Sequence, residues 1–300
     1  MKLSLCLDPS RPWSDAMALA HHVDQSGWHA VYQCDHFMPH DVDGLPRGGD
    51  VSECWTTLSA LAAVTTRVRL GSLVLGNTFR HPAVVAGMAA TLDRISGGRV
   101  VLGIGAGWQP NEHAAFGIRL PEPAERIDAL DEACTVLRML LDDGRCTFTG
   151  ATYQLRDATC EPRPVQERLP LLVGGGGERR TMKVAARHAD VWHCWADPPT
   201  FASKNSVLDH HCATVGRDPG EISRATGGTV AILQKRDVPN GDPVDDDVVG
   251  TISQVVERLL DFRAAGADEF IVRDRASTSP ESTVRLIDEL TRHALPAVGR

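Results

Sequence analysis

The stretch RLGSLVLGNTFRHPAVVAGMAATLDRISGGRVVLGIGAGW, residues 69–108, decides the fold class. Two short apolar runs, at 68–76 and 99–107, predict strands, and the segment between them predicts a helix that begins at Pro82 and ends at Gly97. Proline is favoured at the first position of a helix and glycine just after the last one. Both strands are apolar on both faces, which is typical of parallel strands covered by helices. The stretch is therefore predicted to be one strand–helix–strand unit of an α/β protein.

The same alternation continues to both ends of the chain, giving eight strand-then-helix units. Their strands are expected at 3–8, 28–36, 68–76, 99–107, 169–174, 189–196, 225–233 and 268–273. Eight such units predict a closed (β/α)8 TIM barrel, here a single domain over 1–300 with an insertion at about 144–168 between strands four and five. An open doubly wound sheet is the rival. It is disfavoured because the first strand–helix turn carries no G-x-G-x-x-G.

Composition narrows the class of protein. Of the 300 residues 39 are acidic and 31 basic, for a formal net charge of −8, which argues against a nucleic-acid-binding protein. No apolar segment approaches the roughly 18 residues that span a membrane, and the N-terminal apolar run is too short for a signal peptide. Eight cysteines are scattered without a C-x-x-C pair, and no histidine spacing is typical of a metal site. We expect a cytoplasmic protein with reduced thiols, no metal, no nucleic acid and no membrane.

Polar side chains follow the predicted strands at the end where TIM barrels carry their active sites. Asp35 and His36 follow strand two, and a histidine there could donate or accept a proton near neutral pH. The alternative is that both are ordinary loop residues. Glu53 is a second candidate acid or base, although it could simply favour the positive start of a helix capped by Ser52.

Glycine-rich turns end strands four and five. Gly174–Gly177 supply backbone N–H groups before a predicted helix, and Arg179 and Arg180 supply positive charge, which together favour a phosphate. Glu178 would compete for the same N–H groups, and a flexible turn is the alternative. The alternate glycines of residues 103–107 could let a flat ligand approach the backbone, or could simply bend the strand.

Several motifs in order resemble the bacterial luciferase-like superfamily of barrel oxidoreductases. They are CDHF (34–37), the long run at 53–108, LPLLVGGGGERRTMKVAARHADVW (169–192), DPGEI (218–222) and residues 249–272. Within the superfamily the chain is most similar to members that use the deazaflavin coenzyme F420. The resemblance implies an isoalloxazine-type ring at the strand ends and a non-proline cis peptide at Leu73-Val74.

The resemblance also implies roles for individual residues. His36 and Glu53 are expected to be catalytic, with His36 near the reactive ring carbon. The expected cofactor-binding residues are Asp35, Leu73, Val74, Gly76, Asn77, Thr78, Gly107, Trp108 and Asn111 around the ring and side chain, and Gly174, Gly175, Gly176, Gly177 and Arg179 around the phosphate. Deazaflavin-dependent sugar-phosphate dehydrogenases carry a glutamate where this chain has Trp108, so a sugar phosphate is not the expected substrate.

The resulting hypothesis is an F420-dependent oxidoreductase that transfers a hydride to or from a small organic substrate. One alternative is an FMN-dependent monooxygenase that uses reduced flavin and O2, and another is a non-catalytic ligand-binding barrel. The substrate pocket is expected from segments 39–50, 145–165 and 234–249. The apolar helices at 52–65 and 82–95 suggest a homodimer, as relatives often form, or simply pack on the barrel.

Overall fold

Eight parallel strands close into a barrel in the computed structural model, which describes residues 1–39, 48–234, 247–274 and 279–299. The barrel strands are β1 (Lys2–Leu7), β2 (Ala30–Gln33), β3 (Arg69–Ser72), β5 (Val100–Gly105), β8 (Leu171–Gly174), β9 (Val191–His193), β10 (Ser223–Ile232) and β12 (Glu269–Arg273). They pair in this order, and β12 pairs with β1 to close the barrel. The prediction of a TIM barrel is confirmed.

Helices cover the outside of this barrel. They are α1 (Trp13–Gln25), α2 (Cys54–Val64), α3 (Pro82–Ser96), α4 (Pro110–Phe116), α5 (Pro123–Arg138), α6 (Thr181–His188), α7 (Pro198–Val215), α8 (Ile252–Ala264), α9 (Pro280–Glu289) and α10 (Leu295–Val298). Half of these helices begin on a proline, and α3 ends on Gly97 in the left-handed conformation, as the sequence predicts.

The barrel interior and the helix layer form two separate apolar clusters. Strand residues that alternate with the helix-facing ones, among them Tyr32, Val101 and Leu172, form a cluster that contains no helix residue and fills the barrel. The larger cluster joins Leu3, Leu5 and the other outward strand residues to the helices. These layers fix the strand ends rigidly, and the candidate site is built on those ends.

Strand three differs from its predicted span. It breaks into β3 and a two-residue strand β4 (Leu75–Gly76), which pairs with β5 alone. Between them lies the Leu73–Val74 peptide, which is cis, as the resemblance implies. Strand two is shorter than predicted, because the chain leaves the sheet after Gln33 and carries Cys34, Asp35 and His36 beyond it.

Two additions lie outside the barrel. β6 (Arg145–Thr149) and β7 (Gln154–Thr159) form a separate antiparallel hairpin between β5 and β8 in the chain. Both strands lie within residues 144–168, where an insertion is expected. β11 (Val248–Gly250), which periodicity did not indicate, pairs with the far end of β10. The predicted pocket segments 39–50 and 234–249 lie mostly outside the described residues.

Candidate active site

A cavity of about 950 Å³ opens at the carboxyl ends of the barrel strands. Its walls come from the ends of β1, β2, β4, β5, β8, β9 and β12 and from one face of α5. A volume near the top of the range typical of small-molecule sites is large enough for a tricyclic ring together with a substrate. The position agrees with the rule that TIM barrels carry their sites at this end.

Most of the residues predicted for the site line this cavity. They are Asp35, His36, Leu73, Val74, Gly76, Gly107, Trp108, Gly174, Gly175 and Gly176. Gly177 and Arg179 line a second pocket of about 410 Å³, which we call the side pocket. The side pocket shares Ile127, Gly176 and Thr181 with the cavity, so the two are contiguous.

Four predicted residues lie behind the cavity wall or beside it. Asn111 is fully buried, and its side chain contacts the carbonyl of Pro39. Asn77 accepts a hydrogen bond from the Tyr153 hydroxyl, and Thr78 Oγ1 lies 2.8 Å from His113 Nε2. Glu53 stands at the start of α2, away from the cavity-lining set. No residue of the predicted pocket segment 145–165 lines the cavity either.

His36 lines the cavity, and a buried carboxylate raises the pKa of its imidazole. Its Nδ1 lies 3.0 Å from Oε1 of Glu112, whose side chain is only 1 % exposed. Burial alone would lower the pKa of His36, but the hydrogen bond and the negative charge of Glu112 outweigh it and raise the pKa above the ordinary histidine value. Because Nδ1 is occupied, Nε2 is the nitrogen with which His36 can reach a ligand.

Glu112 is a residue that the sequence reasoning missed. It sits in the first turn of α4, and its second oxygen accepts the backbone N–H of Phe37 at 2.8 Å. These contacts lower the pKa of Glu112 against the opposing effect of burial. One carboxylate thus fixes both the imidazole and the backbone that follows it. The sequence signal was only that Asn111 and Glu112 begin a short helix.

Asp35 is held by Arg80 and by the backbone of the bulged strand. Arg80 makes two hydrogen bonds to Asp35, at 2.7 and 3.0 Å, and Asp35 also accepts the backbone N–H of Gly76 at 2.9 Å. Arg80 extends to Glu53 at 2.5 Å, and Glu53 caps α2 by accepting the Thr56 N–H. Burial would raise the pKa of Glu53, but these contacts lower it.

Gly105 of β5 and Gly174 of β8 make room for the side chain of Val74. A Cβ at Gly105 would lie 2.7 Å from Val74 Cγ2, and one at Gly174 would lie 2.9 Å from Val74 Cγ1. Val74 therefore fills the space that side chains at both positions would occupy. The sequence predicts that glycines at 103–107 admit a flat ligand. Gly105 has a further role, because it leaves space for Val74, which lines the cavity.

The glycine tract borders the side pocket with polar groups. Within the described part of the chain, the N–H groups of Gly176 and Gly177 donate to no protein acceptor. Arg179 and Arg180 are both exposed and both line the side pocket, and Arg180 pairs with Asp128 on α5. Lys204 of α7, which the sequence reasoning did not single out, reaches the carbonyl of Gly176 at 2.9 Å and pairs with Glu178. Glu178 is thus engaged by a cation of its own.

The cavity is also lined by His193, Trp195 and Arg273. The Arg273 guanidinium lies 4.2 Å from the centre of the Trp195 ring, and the His193 ring meets Trp195 edge to face. Nε2 of His193 is buried without a hydrogen-bond partner among the described residues. Burial and the charge of Arg273 lower the pKa of His193 to about 3, so this imidazole is neutral.

The described residues show neither a metal-binding cluster nor a membrane-spanning helix. No cluster of three or more histidine, cysteine or acidic side chains could hold a metal ion there. Across 1–39, 48–234, 247–274 and 279–299, no helix combines the length and apolar character needed to cross a bilayer.

Comparison with known proteins identifies the family. A family model described as luciferase-like monooxygenase matches residues 4–240, which is most of the chain. The chain is 40 % identical over 207 residues to an F420-dependent glucose-6-phosphate dehydrogenase of Kineococcus radiotolerans, covering 67 % of this chain and 59 % of that protein. It is 35 % identical over 172 residues to the pyrimidine monooxygenase RutA of Rhizobium rhizogenes, covering 55 % and 47 % of the two chains.

A solved structure supports the fold. The coenzyme F420-dependent tetrahydromethanopterin reductase of Methanopyrus kandleri superposes with a TM-score of 0.83 at 19 % identity, over 98 % of each chain. The chain spans less than two thirds of the length of the first curated relatives it matches. The sequence match and the cavity at the strand ends agree, and the chain belongs to the luciferase-like monooxygenase family.

Proposed function

We propose that the protein is an oxidoreductase that binds the deazaflavin coenzyme F420 and transfers a hydride to or from a small organic substrate. The observation that carries the proposal is the cavity at the strand ends, with His36 on its wall and the side pocket beside it. The names of two relatives at 35 and 40 % identity, both F420-dependent glucose-6-phosphate dehydrogenases, favour the deazaflavin over FMN.

The residues of the site fit a ring with an anionic tail. The cavity walls at Val74, Gly107 and Gly174 are uncharged, which suits a flat conjugated ring. The N–H groups of Gly176 and Gly177 and the Arg179 guanidinium would hold a phosphate in the side pocket. Once bound, the ring would supply the hydride chemistry, and the protein would supply orientation, exclusion of water and proton handling.

His36 is the residue we propose for proton transfer. Glu112 holds its Nδ1 and keeps the imidazole protonated to higher pH than usual. Nε2 can therefore donate a proton to a carbonyl oxygen of the substrate, which becomes negative as the carbonyl carbon accepts a hydride. The Asp35–Arg80 ion pair holds the backbone from which His36 projects. Proton transfer by Glu53 stays a prediction, since its carboxylate is engaged by Arg80 and Thr56.

The substrate we propose is a small carbonyl compound or the corresponding alcohol rather than a sugar phosphate. Trp108, half exposed at the cavity and 5.7 Å from His36 between ring centres, would limit the space beside the imidazole. The resemblance implies a glutamate at this position in the sugar-phosphate dehydrogenases of the superfamily, so the names of the relatives do not fix the substrate.

An FMN-dependent monooxygenase is the second candidate. The family description and the match to RutA favour it, since both name monooxygenases. The two functions differ in their use of dioxygen, and this difference gives the test.

The experiment supplies reduced deazaflavin and a panel of carbonyl acceptors without air, and follows the return of the oxidised-ring absorbance. A parallel reaction contains reduced FMN under air in an oxygen electrode. Acceptor-dependent oxidation of the deazaflavin supports the proposal. Substrate-dependent oxygen uptake with FMN alone would favour the monooxygenase, and turnover in neither reaction would favour a non-catalytic binding barrel.

We further propose a cytoplasmic homodimer that uses the outer face of α3. Val84 and Ile95 of this helix are 58 % and 55 % exposed, which is high for large apolar side chains. Val84→Glu together with Ile95→Lys is expected to halve the mass measured by light scattering. An unchanged mass would place the interface elsewhere, and a wild-type monomer would remove this part of the proposal.

A further inference from the structure

Two thiols meet inside the cavity, at the neighbouring ends of β1 and β2. Sγ of Cys6 and Sγ of Cys34 lie 3.5 Å apart, and both residues line the cavity. Cys6 is buried, whereas Cys34 is partly exposed. Neither thiol has a part in the hydride transfer proposed above.

The surroundings make the two thiols chemically unequal. A hydrogen bond from the Cys6 thiol, followed by the positive charges of His36 and Arg273, lowers the pKa of Cys34 against the effect of burial. The same contact and burial raise the pKa of Cys6 well above its ordinary value. Cys34 is thus the thiol that loses its proton more readily. Oxidation-sensitive thiol sites commonly pair a reactive cysteine with a second cysteine. The second thiol attacks the sulfenic acid of the first, and a disulfide forms.

We propose that Cys6 and Cys34 form a modification site at which a small hydroperoxide produces a disulfide inside the cavity. The Cys34 thiolate attacks the peroxide, the O–O bond breaks, and Cys34 becomes a sulfenic acid while the other oxygen leaves as hydroxide or alkoxide. The Cys6 thiol then attacks the Cys34 sulfur, an S–S bond forms, and water leaves. Two thiols lose two electrons in total, and the peroxide gains them.

The disulfide would disturb the neighbouring residues. A disulfide bond is about 2.05 Å long, so the sulfurs must approach each other by about 1.5 Å from their present separation. Cys34 directly precedes Asp35 and His36, and the chain there is already outside the strand. The approach of the sulfurs would therefore move His36 relative to Glu112. We expect this movement to lower turnover of the deazaflavin. That expectation rests on the proposed function, whereas formation of the disulfide does not.

The direct test is a chemical one on the full chain. The reduced protein is treated with a few equivalents of hydrogen peroxide, remaining thiols are alkylated, and the digest is examined by mass spectrometry without reduction. The expected result is a linked Cys6–Cys34 peptide, with the thiol count in denaturant falling from 8 to 6 and returning to 8 with dithiothreitol. Loss of deazaflavin turnover in parallel, reversed by dithiothreitol, would connect the disulfide to the site.

Variants separate the two thiols from the others. Cys6→Ser is expected to leave Cys34 oxidised beyond sulfenic acid, and Cys34→Ser to abolish the fast loss of thiols. Cys194→Ser is the matched control, because Cys194 also lines the cavity, and it should form the link as the wild type does. The proposal would be overturned if Cys34 of the wild type were found as sulfinic acid without a link, or if the link involved another cysteine. The wild-type digest gives this answer even if a variant fails to fold.

Discussion

Glu112 lies 76 residues after His36 in the chain, yet its carboxylate holds Nδ1 of that histidine at 3.0 Å from inside the protein. The pair joins the end of β2 to the first turn of α4. It fixes the orientation of the imidazole, raises its pKa and leaves Nε2 for the ligand. The proposed proton transfer depends on this pair more than on any other contact of the site.

Removing the charge of Glu112 should change the pH dependence of activity. If protonated His36 is the donor, kcat/KM is highest below its raised pKa and falls as the pH rises through it. Glu112→Gln removes the charge that raises this pKa and leaves burial, which lowers it, so the falling limb should move to lower pH. Glu112→Asp keeps the charge and should move it less. A limb at the same pH in wild type and Glu112→Gln would mean that His36 is not the group observed.

Loss of the His36 imidazole should lower kcat/KM by about 10²–10⁴-fold, the range typical of a general acid. Deazaflavin binding should change much less, because the side pocket holds the tail separately from this wall. Steady-state kinetics and a binding titration on His36→Ala measure the two effects. Unchanged turnover in His36→Ala would remove the proposed role.

Arg80 should matter for stability far more than Glu53. Arg80→Met leaves the carboxylate of Asp35, whose side chain is fully buried, without its cation, and breaking a buried pair in this way costs about 3–5 kcal/mol. Glu53 is about one third exposed, so Glu53→Gln should cost about 1 kcal/mol or less. Urea unfolding gives both free energies. Similar costs for the two variants would contradict this description, and a large loss of kcat in Glu53→Gln would support its proposed catalytic role.

Arg179 and Arg180 are neighbours with different expected effects. Arg179→Ala should weaken deazaflavin binding about 10-fold or more, because a hydrogen bond to a charged group contributes about 1.5–3 kcal/mol. Arg180→Ala is the matched control, since Arg180 pairs with Asp128 on α5. Calorimetry at two salt concentrations should show a weaker salt dependence for Arg179→Ala. Equal effects of the two substitutions would show that the phosphate lies elsewhere.

The two histidines of the cavity should titrate differently. His193, with its pKa lowered to about 3 by burial and by Arg273, should stay neutral from pH 5 to 8. His36 should become protonated within or above that range, because its pKa is raised. Proton NMR of the ring C–H signals, assigned with His193→Gln and His36→Gln, measures both. A His193 signal that shifts near pH 6 would contradict the burial described.

The barrel was predictable because its determinants are local. Short apolar strands alternate with helices along the chain, and prolines at several helix starts and glycines after several helix ends mark the boundaries within a few residues. The break of strand three at Leu73–Val74 was expected from the resemblance alone. The hydrophobic pattern at 68–76 continues through it, so periodicity predicts one strand where there are two.

The contacts that define the site were less predictable because they depend on the fold. Glu112 looks like an ordinary acidic residue at a helix start until α4 is placed across the end of β2. Arg80 and Lys204 likewise gain their roles from partners 45 and 28 residues away. Glu53 shows the opposite case: the sequence already left open a role at the start of a helix, although Glu53 itself, and not the predicted Ser52, caps α2 by accepting the Thr56 N–H.

Side-by-side titration of the protein with oxidised deazaflavin and with FMN tests the central claim most directly. Ring absorbance and fluorescence report binding of each cofactor. We expect saturable binding of one deazaflavin per chain, weakened in Arg179→Ala but not in Arg180→Ala, and weaker binding of FMN. Saturable binding of FMN without binding of the deazaflavin would contradict the assignment, as would deazaflavin binding that is equally strong in Arg179→Ala.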